Sequence, residues 1–308
     1  MTAAQASKLG TIVCATDFSD TAELALAHAV AMVRRHAARL VLAHVVEPLP
    51  VAPYPLLAVP ADGEMAIREV AHDRLEKAAA ALREQGLPNV ETRLVAGAPG
   101  YELIALAEEL EADLFVIGTR GLSGFEHLLF GSTAEHVVRR SRCPVLIVHP
   151  GDGAPREVVG TVVVPTDLSP DAEAAVEAFV RLYDVGVRPR VVLAFADQTP
   201  PYLEPFQHET LARWHQPDLR KEEIEKQMQP TVDRLSRAGF EVSTVVLDGS
   251  PVGAITQLAE ERQAEMIVMS THGRSALVNV LLGRTAQRIV QHARCPVLTV
   301  RPGGRAVD

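Results

Sequence analysis

The chain has 308 residues, of which 47% are hydrophobic and only 4% aromatic, and its formal net charge is −9. That length suggests two domains, and an acidic chain without a long basic run is excluded from holding nucleic acid through the phosphate backbone, which needs clustered Lys and Arg. No apolar stretch approaches the ~18 residues that would span a membrane, and the N-terminal MTAAQASKLG has no apolar core of signal-peptide length, so a cytoplasmic protein is expected.

Taken in order, Thr11–Thr16 is an apolar strand ended by Asp17-Phe18-Ser19, and Ser19 or Asp20 can cap the helix that follows. A second buried strand, Leu40–Val46, leads into a Pro-rich loop over 48–60 that cannot form a regular element. A charged helix is expected over Glu64–Gln85, stopped by Gly86, then a strand over Val90–Ala96 and a helix from Pro99 to about Glu111. The strand Leu114–Ile117, a glycine-containing loop, a helix opening at Gly131 and a last strand over Pro144–Val148 complete the first half. Strands alternating with helices in this way predict an α/β fold with a parallel sheet and right-handed crossovers.

The same order then recurs. Residues 11–19 (TIVCATDFS) answer to 161–169 (TVVVPTDLS), and 119–148 answer to 271–300, with Thr119, Gly121, Gly131, Thr133, Cys143 and Pro144 returning as Thr271, Gly273, Gly283, Thr285, Cys295 and Pro296. A repeat of about 150 residues is a duplicated domain and not a solenoid, so we expect one domain over 1–150 and another over 151–308, joined by the tract from His149 to Gly160. The second copy carries an insert, DQTPPYLEPFQHETLARWHQPD, whose Trp214 between His208 and His215 reads as loop packing. Cys14, Cys143 and Cys295 show no zinc spacing and read as buried reduced thiols.

Chemistry is concentrated in 113–148. Gly118 and Gly121 directly after a parallel strand let the backbone turn and approach a ligand without a Cβ in the way, and Gly131-Ser132-Thr133 adds first-turn amides, two hydroxyls and the positive end of a helix. The segment lacks the lysine of a P-loop and the G-x-G-x-x-G of a dinucleotide site.

The spacing G-x2-G-x9-G-S resembles the nucleotide loop of the universal stress protein family. The T-D-x-S after the first strand, the Leu-Val-Leu-Ala-His-Val second strand and the Cys-Pro-Val-Leu-x-Val last strand are arranged similarly, over nearly the whole chain and twice. The resemblance implies two tandem five-stranded parallel sheets of order 3-2-1-4-5 with helices on both faces, and a ligand at the switch point beside the first strand. It further implies an ATP-binding regulatory protein of the stress response. Thr16, Asp17 and the backbone of Leu40 would meet the adenosine, and Gly118, Gly121, Gly131, Ser132 and Thr133 the phosphates. Asp167, Val191, Gly273, Gly283 and Thr285 would play the same parts in the second copy, where Ser270 and Arg284 depart from the pattern. Mg²⁺ would accompany the triphosphate through its phosphates, with no protein cage. Asp17 equally fits a helix-capping Asx residue. A nucleotide-free scaffold and a slow ATPase are the alternatives; Glu126 and His127 read as a solvated pair, and no Walker lysine or arginine finger is evident. The family resemblance also implies pairing of the last strands of the two copies within one chain, compatible with a homodimer, and an unknown protein partner.

Overall fold

The computed structural model describes residues 9–48, 61–119, 130–156, 160–183, 188–198, 217–273 and 282–303. The chain divides into two compact units, Ser7–Pro155 and Arg156–Pro302.

The first unit runs β1 (Thr11–Ala15), α1 (Asp20–His36), β2 (Arg39–Val46), α2 (Ala61–Glu84), β3 (Val90–Ala96), α3 (Pro99–Glu109), β4 (Leu114–Gly118), α4 (Ser132–Arg140) and β5 (Val145–Val148). Its strands lie in the order β3-β2-β1-β4-β5, all parallel. β1 sits between β2 and β4, with Ile12 opposite Leu40 on one side and Leu114 on the other. Right-handed crossovers send α1 and α2 over one face and α3 and α4 over the other. That arrangement explains the unbroken apolar runs: a strand covered on both faces has no solvent side, and Ile12, Val13, Leu40, Val41, Phe115 and Val116 are all fully buried.

Local signals set the helix ends. Ser19 caps α1 by accepting from the Ala22 amide at 3.2 Å, Asp20 and Glu23 occupy its first turn, and Arg34, Arg35 and His36 its last. The helix closes on Ala37, a non-glycine residue in the left-handed region at φ 54°. Where expectation and structure differ, the shift is small: α2 begins at Ala61 rather than Glu64, because Ala61-Asp62-Gly63 carries no apolar periodicity that a sequence pattern could register.

The second unit repeats the plan with β6 (Thr161–Pro165), α5 (Pro170–Leu182), β7 (Arg190–Asp197), α6 (Pro217–Arg237), β8 (Glu241–Asp248), α7 (Pro251–Glu261), β9 (Met266–Ser270), α8 (Arg284–His292) and β10 (Val297–Val300). Its sheet order is β8-β7-β6-β9-β10, again parallel. All three cysteines are free and buried, and burial pushes the Cys14 thiol up to about 12. The insert around Trp214 lies outside the described residues. Among the described residues, no helix is long and apolar enough to cross a membrane.

The tract after β5 is built into the first unit instead of leaving it as a bare tether. The His149 amide and its Nδ1 meet Asp152 Oδ2 at 2.7 and 3.2 Å, and His28 Nε2 of α1 lies 3.0 Å from the Gly153 carbonyl. A carbonyl only accepts, so His28 Nε2 donates. Burial holds His28 below the usual histidine range, against the opposing pull of the Gly153 carbonyl and Asp152. The unfolded chain therefore binds this proton more readily than the folded one, and the His28 contribution to stability is complete above the ordinary histidine pKa and lost as pH falls below it. Urea unfolding should show midpoints that fall between pH 7.5 and 5, and a His28→Leu variant should show a shallower fall; equal slopes for both proteins would contradict this.

Candidate functional site

At the carboxyl end of β1 the chain reverses through Thr16-Asp17-Phe18-Ser19, held by its own side chains. Thr16 Oγ1 accepts from the Phe18 amide at 3.0 Å, Asp17 Oδ1 accepts from the Ser19 amide and hydroxyl at 3.1 and 2.6 Å, and Ser19 Oγ takes the Ala22 amide. These acceptors stabilise Phe18 in the left-handed region, φ 64°, where an L-residue costs about 1–2 kcal/mol. The second repeat reproduces the turn: Leu168 stands at φ 61°, Thr166 Oγ1 accepts from its amide at 3.0 Å, and Asp167 Oδ1 accepts from the Ser169 amide and hydroxyl at 3.1 and 2.5 Å. Asp17 and Asp167 thus form Asx turns through Oδ1, while Ser19 and Ser169 are the helix caps.

Across the crevice, Gly118 ends β4. A Cβ there would lie 2.9 Å from Thr21 Cγ2 and 3.3 Å from the Thr21 backbone, so this glycine lets β4 close against the first turn of α1. Thr119 follows and forms the neck of the loop. Its amide donates to the Val148 carbonyl at 2.8 Å, and its carbonyl accepts the Gly131 amide at 2.8 Å. A Cβ on Gly131 would come within 2.9 Å of that same carbonyl. The amide of Gly131, expected to face a phosphate, is therefore spent on closing the loop. The donors left at this end are those of the first turn of α4, where the N-cap Gly131 offers no side chain and Ser132 is exposed. Thr119 itself is 1% exposed, and its buried hydroxyl has no hydrogen-bond partner among the described residues. Gly121, Glu126 and His127 lie outside the described residues.

Leu40 and Val191 do not join the site. Leu40 is fully buried at the start of β2, pairs with Ile12, and donates its amide to the Asn89 carbonyl at 2.9 Å. At about 3.3 Å per residue it lies more than 10 Å from the end of β2 that meets Asp17. Val191 holds the same position in β7, opposite Val162. The strand residues that do reach the turn are Ala43, whose carbonyl accepts the Thr16 amide at 2.8 Å, and His44, whose Nδ1 lies 2.7 Å from the Thr16 carbonyl. Sequence reasoning absorbed His44 into a strand pattern; a polar residue in phase with the buried Leu40 and Leu42 was the available signal.

In the second repeat Gly283 closes the loop in the same way, its amide 2.7 Å from the Thr271 carbonyl. The surroundings differ. The Thr271 hydroxyl is paired with His272 Nδ1 at 2.8 Å, Ser270 Oγ accepts the His272 amide at 3.2 Å, and Arg284 stands exposed beside Thr285 at the start of α8. Gly273 leaves room only for the Asp167 carboxylate, whose Oδ2 occupies the space a Cβ would need. Among the described residues no group of three His, Cys, Asp or Glu side chains could hold a metal ion.

The packing role of Gly118 is open to a double-mutant cycle. Gly118→Ala should cost about 1–3 kcal/mol in chemical denaturation by overpacking, and Thr21→Ser, which removes the nearest methyl, should recover a measurable part of it. Strictly additive effects would show that the two residues do not meet.

A family model described as the universal stress protein family matches residues 8–149 and again 159–301. A universal stress protein of Mycolicibacterium smegmatis is 26% identical over 94% of this chain and 97% of its own. One from Thermus aquaticus is 38% identical over 45% of this chain and 97% of its own length. Among solved structures, a universal stress protein from Archaeoglobus fulgidus superposes with a TM-score of 0.65 at 19% identity, covering 96% of this chain and 97% of that one. With two matches that together take in most of its length, and with the sheet order and duplicated turn described above, the chain belongs to the universal stress protein family.

Proposed function

We propose that the first repeat is an ATP-binding module, with the triphosphate at the N-terminus of α4 and the adenosine against the turn after β1, and that the protein acts as a nucleotide-responsive regulator in the stress response. The observation that carries this is a helix start without a side-chain cap, tied through the Gly131 amide to the Thr119 carbonyl, together with a Thr119 hydroxyl that is buried and has no hydrogen-bond partner among the described residues. An orphaned buried polar atom costs about 1–3 kcal/mol, a cost that a phosphate oxygen accepting from the hydroxyl would offset. The helix end alone contributes about 0.3–1 kcal/mol toward an anion, so several donors have to act together. The second repeat has satisfied its corresponding hydroxyl through His272, which supports the first repeat as the one that binds ATP.

Asp17 would stand on the adenosine side, and Thr16, His44 and Val45 are the backbone neighbours that the register brings beside it. Gly118 enters as the residue that brings β4 and α1 together, and Ser132 and Thr133 as the donors. Mg²⁺ would arrive with the triphosphate and be held by its phosphates and water. With no general base assigned, any hydrolysis would be slow, and the protein works by binding and not as an enzyme. It is a cytoplasmic protein in this proposal, signalling to a protein partner through nucleotide occupancy.

Ser132→Glu separates ligand chemistry from folding. A carboxylate in the first turn of a helix favours the helix but repels a phosphate. Calorimetric titration with ATP and Mg²⁺ should show affinity reduced about tenfold or more, consistent with two like charges a few ångströms apart near a surface. The thermal midpoint of the ligand-free variant should stay level or rise. Unchanged affinity in a folded variant, or a wild-type chain that neither carries nor binds adenine nucleotide, would refute the proposal.

A further inference from the structure

His44 has work that the fold does not require. Its Nδ1 lies 2.7 Å from the Thr16 carbonyl, and because a carbonyl only accepts, Nδ1 carries the proton. The Thr16 amide is meanwhile bonded to the Ala43 carbonyl at 2.8 Å, so both main-chain groups of the residue before Asp17 are fixed to β2. The imidazole ring also packs on Phe18, with centroids 4.7 Å apart and planes 40° apart, and the Arg74 guanidinium of α2 lies 5.4 Å from the centre of the same Phe18 ring.

The second repeat supplies an internal control. Its turn has the same backbone, with Leu168 at φ 61° and the Thr166 amide on the Ala194 carbonyl at 2.8 Å. Register places Ala194 opposite Pro165 as Ala43 lies opposite Ala15, so Phe195 stands where His44 does. Among the described residues no side chain donates to the Thr166 carbonyl. A ring of similar shape without a donor therefore suffices to build the turn, and the imidazole adds one thing only, the hydrogen bond to the carbonyl.

That bond has a directional consequence. The Thr16 carbonyl and the Asp17 amide belong to one rigid peptide plane, so pinning the first aims the second. We infer that His44 is a positioning residue for the nucleotide of the first repeat, holding the Thr16–Asp17 peptide in its binding orientation before ligand arrives, and that Phe195 marks a second repeat without this preorganisation. The inference rests on the ATP reading of the first repeat. It names a residue whose effect on binding is separable from its effect on folding.

The experiment compares His44→Phe, which copies the second repeat, with His44→Asn, whose amide nitrogen overlays the imidazole Nδ1. Titration of the full chain with ATP and Mg²⁺ should show His44→Phe weakened by roughly five- to tenfold, the range for one lost neutral hydrogen bond, and His44→Asn within about twofold of wild type. ¹⁵N NMR of the ligand-free wild type should show the proton on Nδ1 at a pH where the ring is neutral. Wild-type affinity in His44→Phe, equal weakening in both variants, or an Nε2–H tautomer would each overturn the positioning role while leaving ATP binding in place. A wild type that binds no ATP but shows the Nδ1–H tautomer would instead remove the nucleotide reading, and this role with it.

Discussion

The first repeat depends on how the chain leaves β1. A parallel strand flanked on both sides must hand its backbone to a crossover helix without colliding with the strand ends beside it, and here the exit is a left-handed Phe18 between two short polar residues. Nothing in Phe18 favours that conformation. Thr16, Asp17 and Ser19 make it stable by accepting the amides that the reversal would otherwise leave bare. Once α1 starts there, Thr21 faces the end of β4, and a side chain at 118 would press on it. The crevice at the switch point follows from these contacts, because the β1 turn moves to one side of the sheet and the β4 loop to the other.

This ordering changes what the glycines mean. In sequence, Gly118 and Gly131 look like residues kept small for a ligand. In the structure each is small first for the protein: Gly118 for Thr21, and Gly131 for the Thr119 carbonyl that also takes its amide. In the proposed ATP site, phosphate chemistry would fall to the first-turn amides of α4 and the Thr119 hydroxyl. A glycine pattern can therefore persist in a repeat for reasons of packing, as Gly273 and Gly283 do beside Ser270 and Arg284.

The strands and helices were legible in sequence because their signals are local. Runs such as Thr11–Ala15 and Val145–Val148 are apolar on both faces, Ser19 and Pro99 mark helix starts, and the repeat allows each half to be checked against the other. The site was legible only in part, because it is made by register. A parallel sheet places the carboxyl end of Leu40–Val46 on the side of Asp17, but only the register names the residue; the pairing of Ala15 with Ala43 decides it, and moves the contact from Leu40 to His44. Nor can a sequence show that the Gly131 amide is already engaged, since its acceptor, the Thr119 carbonyl, lies twelve positions earlier in the chain.

The two repeats have divided features that a phosphate site would combine. In the first, the helix start is close to neutral, since Glu135 in the first turn of α4 is paired with Arg139 at 2.6 Å, and the buried Thr119 hydroxyl has no partner among the described residues. In the second, the first turn of α8 has no acidic residue and begins with Arg284, so positive charge sits on an already positive helix end, while the hydroxyl of Thr271 is satisfied within the protein. Cationic charge attracts anions of many kinds at long range. A preformed set of unsatisfied donors is narrower in what it accepts, because it rewards only a ligand whose oxygens fit. By that distinction the proposed nucleotide site fits the donors of the first repeat better than the charge of the second, although the same turn and the same loop neck shape both.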